Sequence, residues 1–153
     1  LNYGLRVHLY GRGWDVCDFV NHPNLIWEGT VSPQEVIVKM QHSKIVLNTT
    51  TWFKDGAHDR IFNGMLAGAV AVTDESIYLN EQFQGYPKAD EDHAEMILFH
   101  LKEMDQLAKT LRDLLEQPDK LQKIADNGRK KAELCHTWEC RAKELHEDLL
   151  VNL

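Results

Sequence analysis

The chain has 153 residues, 43% of them hydrophobic, which is enough to bury one core and too few for two sizeable domains. A formal net charge of -7 and the lack of a basic stripe exclude an ordinary nucleic-acid-binding surface, and no apolar run reaches membrane-spanning length. Cys17, Cys135 and Cys140 form an odd set without CxxC spacing, which fits a reducing, cytosolic compartment better than a disulfide framework.

Leu1-Asn2-Tyr3-Gly4 reads as the last turn of a helix closed by a C′ glycine, with Arg6 to Tyr10 as the strand that it feeds. Helices that feed parallel strands usually follow a strand themselves, so an initial strand and most of a helix are expected to precede Leu1. Gly11-Arg12-Gly13-Trp14 is a turn, and Leu25 to Trp27 a second short strand. Ser32-Pro33-Gln34-Glu35 combines a serine N-cap, proline at the first helical position and glutamate three residues after the cap, and predicts a helix to about His42. An apolar strand, Lys44 to Asn48, leads into a loop over 49–58 and a helix from Arg60 to Ala67 that stops at Gly68. Ala69 to Thr73 is too apolar for a one-sided surface strand and belongs in a sheet covered on both faces.

Met96 to Phe99 reads as one more strand, and from about Met104 onward the pattern is helical. Leu107, Leu111, Leu114 and Leu115 mark one apolar face; Leu121, Ile124, Ala125 and Ala132 mark a second, beyond the break at Gln117-Pro118-Asp119. A last helix, from Thr137 to Leu150, is expected to be capped by Thr137 and to bury Trp138, Leu145 and Leu149. Strands alternating with helices predict a single α/β domain over residues 1–153: a doubly wound parallel sheet of about four or five strands with a helical C-terminal third.

The segment from Asp55 to Asp74 carries most of the functional information. A short loop with one basic residue, Arg60, runs into a helix, and the helix stops directly before a small-residue strand that ends in Thr73-Asp74. In open α/β sheets, ligands lie beyond the carboxyl ends of strands, where helix N-termini offer N–H groups to anions such as phosphate. Gly29 to Val31, Asp55 to Arg60 and Thr73 to Ser76 all follow strands, so the three loops are expected to meet at one cleft.

The segments Tyr10-Gly-Arg-Gly-Trp14, Glu28-Gly29-Thr30-Val31-Ser32, Ser43-Lys-Ile-Val-Leu-Asn48, Arg60-Ile-Phe62-Asn63-Gly-Met65-Leu-Ala-Gly68, Thr73-Asp74 and His136-Thr-Trp138 with Arg141 together resemble the C-terminal, nucleotide-sugar-binding domain of GT-B glycosyltransferases. The match is nearest to the CgeB-type, spore-maturation branch of the group 1 superfamily. The resemblance implies a Rossmann-like half of a GT-B fold whose first strand and helix lie outside the chain, with an N-terminal acceptor-binding domain as its partner in the full-length protein. It further implies transfer of a sugar from a nucleotide-activated donor, with no metal and no other cofactor required.

Members of that superfamily commonly carry two acidic residues, the second just before a small-Met-x-x-Gly helix. By that resemblance Asp55 takes the first position, near the sugar and its phosphates, and Asn63 takes the second, where the family places a ribose acceptor. Asn63 still accepts through its amide oxygen, though less strongly than a carboxylate. Arg60 and Arg12 are the candidates for the diphosphate clamp, since a guanidinium engages two phosphate oxygens at once. Gly29, Thr30 and Val31 would border the base, and Thr73, Asp74, Glu75 and Ser76 would line the sugar-diphosphate side. His58, in the same loop, could act on the leaving group.

Each of these residues also has a plainer reading. Arg60 could pair on the surface with Asp59 or Asp55, Asp55 could serve its turn alone, Asn63 could be a helix-surface residue, and His58 an exposed loop histidine. Gly11 and Gly13 make too weak a motif to predict NAD binding. Asp90-Glu91-Asp92 sits in a polar loop and reads as solvated rather than metal-binding, and Cys135, His136 and Cys140 have no partner pair for zinc. The rival to a donor-binding half-enzyme is a non-catalytic Rossmann-like module that binds a nucleotide or a partner in a larger assembly.

Overall fold

The computed structural model describes residues 1–50 and 55–151. Its strand pairings are all parallel. β1 (Val7–Leu9) pairs with β2 (Leu25–Trp27) in a two-stranded sheet, whereas β3 (Ile45–Leu47), β4 (Val70–Asp74), β5 (Gly85–Tyr86) and β6 (Met96–Phe99) form a four-stranded sheet in the order β3-β4-β6-β5. The helices are α1 (Pro33–Gln41), α2 (Asp59–Leu66), α3 (Ile77–Gln82), α4 (Met104–Leu115), α5 (Pro118–Cys135) and α6 (Trp138–Val151). None of the described helices is long and apolar enough to cross a membrane.

Strand alternation divides the core between the two faces of the larger sheet. Val70 and Val72 of β4, with Ile97 and Phe99 of β6, pack against Leu107, Leu111 and Leu114 of α4 and Leu121, Ile124 and Ala125 of α5. Ala71, Met96 and Leu98 point the other way and meet Ile61 and Met65 of α2 and Leu79 of α3. Every residue of β4 and β6 is buried, as a strand covered on both sides requires. This is the doubly wound α/β arrangement.

Local chemistry places the elements where the sequence predicts them. The Ser32 hydroxyl accepts from the Glu35 N–H at 3.3 Å, and the Glu35 carboxylate accepts from the Ser32 N–H at 2.7 Å, closing the capping box at the start of α1. α2 ends in a Schellman motif: Gly68, at φ 86°, donates its N–H to Met65, and the Ala69 N–H reaches back to the Gly64 carbonyl at 3.0 Å. Gly64 lets α2 lie close on β3, because a Cβ there would stand 3.1 Å from Val46 Cβ.

Three features differ from expectation. Among the described residues no ladder joins β1 to β3, so the strands divide between two sheets. α3 and β5 were not predicted, being too short to show periodicity: six residues in one case, and a Gly-Tyr pair before Pro87 in the other. α6 buries none of its apolar face: Trp138 is 89% exposed, Leu145 61% and Leu149 53%. Its spacing marks a stripe correctly, but burial needs a facing surface, and residues 142–150 are all exposed.

Candidate functional site

The carboxyl ends of β3 and β4 carry a buried polar network. Asn48, just past β3, is 3% exposed, Thr73 is fully buried and Asp74 is 5% exposed. Groups buried to this degree need partners, and they supply them to each other. Asn48 Nδ2 donates to Thr73 Oγ1 at 3.2 Å, Thr73 Oγ1 donates to Asp74 Oδ1 at 3.3 Å, and the Thr50 N–H donates to the same carboxylate oxygen at 2.6 Å. Arg60, at the start of α2, closes the network from outside by donating Nη1 to Asn48 Oδ1 at 2.7 Å.

The two loops beside this network are tied directly. Ser76 caps α3 by accepting from the Leu79 N–H at 3.1 Å, and its hydroxyl donates to the Gly56 carbonyl at 2.9 Å. The segment with Asp55 to Arg60 and the segment with Thr73 to Ser76 thus meet at one end of the sheet. Asp55 itself is exposed. The part of the expected loop at 51–54 lies outside the described residues.

His58 is the N-cap of α2, its Nδ1 accepting from the Arg60 N–H at 3.1 Å, and the same nitrogen lies 2.6 Å from Asp59 Oδ1. One nitrogen cannot do both at once: capping needs its lone pair, while pairing with Asp59 needs a proton. Asn63 is half-buried one helical turn further along. Glu75 is ion-paired with Lys88 at 3.2 Å, and its N–H donates to the Phe99 carbonyl.

Arg12 and the residues Gly29 to Val31 belong to the other sheet. The Gly11 N–H donates to the Gly29 carbonyl at 2.7 Å, and Arg12 Nε approaches Thr30 Oγ1 at 3.4 Å, so these two loops are brought together with each other. Beside them Glu28 takes a bond from Tyr10 at 3.1 Å and lies 2.6 Å from His8 and 3.4 Å from Lys39; the bond to His8, then that to Tyr10, holds its carboxyl below the usual range. No hydrogen bond or ion pair among the described residues joins this group to Arg60 or Thr73.

Asn48 and Thr50 join this group although the sequence does not single them out as site residues. The one available signal was an asparagine closing an otherwise apolar strand. The acidic triplet behaves as a solvated loop, with Asp90 on His93, Glu91 on Lys120 and Asp92 on Lys123. Among the described residues no group of three His, Cys, Asp or Glu side chains is placed to hold a metal ion.

Residues 1–147 match the model of a family described as glycosyl transferase-like. The chain belongs to that glycosyl transferase-like family. No curated protein matches it. Among solved structures it is similar to HepE from Anabaena in complex with UDP, at a TM-score of 0.74 and 17% identity over 96% of this chain and 41% of HepE. HepE has also been solved with UDP-glucose, to which this chain aligns at a TM-score of 0.72. Sucrose-phosphate synthase from Thermosynechococcus elongatus gives a TM-score of 0.65 at 14% identity, over 86% of this chain and 32% of the synthase. TarM gives 0.69 at 15%, over 91% and 28%. The fold of this glycosyl transferase-like chain is therefore a Rossmann-like half of the GT-B architecture, and it spans about two fifths of HepE.

Proposed function

We propose that the chain is the donor-binding half of a GT-B glycosyltransferase, transferring a sugar from a nucleotide-activated donor to an acceptor. The observation that carries this reading is the placement of Arg60, at a helix N-terminus and braced on Asn48, beside the buried Thr73-Asp74 strand end. With Nη1 committed to Asn48, the Nε and Nη2 edge of Arg60 would meet the diphosphate. The α2 N-terminus adds N–H groups that favour the same charge. Stabilising the departing diphosphate is the main electrostatic contribution such a site can make. The complexes of HepE with UDP and UDP-glucose support a nucleotide-sugar as the donor here.

In this reading Asp55 faces the sugar, Asn63 accepts from the ribose, and Thr73 to Ser76 line the sugar-diphosphate. Arg12 and Gly29 to Val31 border the base. With Nδ1 capping α2, His58 acts on the leaving group through Nε2. No metal is required, the chain falls in the CgeB-type branch, and the protein works in the cytoplasm. An N-terminal acceptor-binding domain completes the enzyme, because transfer needs the acceptor held in register.

Asn63, neutral where the family carries an acid, favours the rival reading of a non-catalytic nucleotide- or partner-binding module. Titrating UDP and GDP into the domain, with amide chemical shifts as readout, separates the donor reading from a partner-binding module, and sugar transfer by the full-length protein separates it from a nucleotide-binding one. The donor reading expects shifts in the loops around Arg60 and Thr73 that Arg60→Ala largely removes and Asn63→Glu strengthens. No response to either nucleotide, in the domain or in the full-length protein, selects the module.

A further inference from the structure

α6 leaves the body of the protein after its first turn. No residue of the helix is buried, and Thr137, which accepts from the Cys140 N–H at 3.2 Å, fixes only where the helix starts. A fixed start does not fix a direction. Cys140 Sγ donates to the neighbouring Leu134 carbonyl of α5 at 3.3 Å, and Arg141 reaches further, to His136 and to α3.

Arg141 Nη2 donates to the Tyr78 hydroxyl on α3 at 2.6 Å and to His136 Nδ1 at 2.6 Å, while Nη1 bonds Glu144 at 2.7 Å within α6. His136 is itself 7% exposed, its ring stacked against Phe62 of α2 at 4.9 Å and against Phe83 at 4.8 Å between centroids. The guanidinium therefore grips two anchors that belong to different elements of the body. We infer that Arg141 is a positioning residue that sets the direction of α6 by clasping His136 and Tyr78, and through them α2 and α3. The inference is independent of what the cleft binds.

The clasp dictates the state of the histidine. Both Nη2 hydrogens are spent on acceptors, so Nδ1 must offer its lone pair and the ring proton sits on Nε2. An imidazolium cannot accept, and its protonation would set a cation against the guanidinium. The groups around the ring all bear on this balance: Arg141 and Glu144 from α6, Lys131 from α5, Tyr78 from α3, and the two phenyl rings. Burial, then Arg141, then Lys131, pushes His136 down to about 4, against a smaller opposing pull from Glu144. The clasp is closed at neutral pH.

Amide hydrogen exchange along α6 in wild type, Arg141→Ala, Arg141→Lys and Tyr78→Phe tests the clasp, with the His136 ring nitrogens read in parallel by long-range nitrogen–proton correlation. Arg141→Ala should speed exchange in α6 beyond residue 141 by roughly tenfold or more while leaving the middle of α5 unchanged. Arg141→Lys, which keeps the charge and loses the fork, should resemble it, and Tyr78→Phe, which keeps the ring and loses one bond, should fall between. Wild-type His136 should show a neutral ring protonated at Nε2 at pH 7. Equal α6 exchange in wild type and Arg141→Ala, or a wild-type ring protonated at Nδ1, overturns the proposal.

Discussion

Arg60 and Thr73 share no hydrogen bond, yet one amide joins them: Asn48 accepts from Arg60 through Oδ1 and donates to Thr73 through Nδ2. A surface cation is thereby connected to a fully buried hydroxyl across two elements.

Removing the cation should be felt in stability as well as in binding. Arg60→Ala leaves Asn48 Oδ1, on a residue 3% exposed, without its charged donor. A loss of about 1.5–3 kcal/mol is expected for a hydrogen bond to a charged group. Urea denaturation measures it, and Arg60→Gln, which can still donate, should lose less.

Asp74 accepts from both Thr50 and Thr73. Asp74→Ala removes the one oxygen that takes both bonds and strands a buried backbone N–H, so it should cost about 1–3 kcal/mol and perturb the Thr50 amide most. A variant as stable as wild type would show that the network is not needed for folding.

Gly64→Ala tests how closely α2 lies on β3. The added methyl would meet Val46 Cβ at 3.1 Å and Cγ1 at 3.3 Å, both on a strand that cannot retreat without disturbing its pairing with β4. Overpacking of this kind costs about 1–3 kcal/mol, against which alanine's better helix propensity returns less than about 1. The melting temperature should fall, and Val46→Ala in the same chain should restore part of the loss.

Acid should weaken the fold through His136. Its folded value near 4 lies below the ordinary 6.5, so between these two values the unfolded chain binds the proton and the native chain does not. Stability from this group is therefore full above about pH 6.5, declines as pH falls towards 4, and levels off below; the whole effect is at most about 3 kcal/mol. Denaturation of wild type and His136→Gln across pH 4.5 to 7 should show a steeper decline in the wild type, because glutamine does not titrate.

The strand–helix alternation and the caps were legible because each rests on a local signal. Ser32 with Glu35 announced α1, Gly68 announced the end of α2, and the unbroken apolar run to Thr73 announced a strand covered on both faces. The parts that escaped depend on partners distant in sequence. Asn48 becomes a site residue only once Thr73 and Arg60 are folded around it. His136 shows in the sequence as a histidine without a partner pair for zinc, and nothing in its neighbours reveals the stacking on Phe62 and Phe83. Trp138, Leu145 and Leu149 carry the signature of a buried stripe, and a stripe in sequence says nothing of whether a surface faces it.

The parallel pairing also shapes how the chain reaches its fold. No strand of the larger sheet can close on its neighbour through a tight turn: Ile45 must find Val70 across α2, and Val72 must find Ile97 across α3 and β5. Such non-local closures pay their entropy before any ladder forms, which slows folding relative to hairpin or helical domains of similar length. β4, which pairs on both sides, cannot complete its ladders until both crossovers are in place, so Val72, in register with Leu47 on one side and Ile97 on the other, belongs among the last residues to gain full protection.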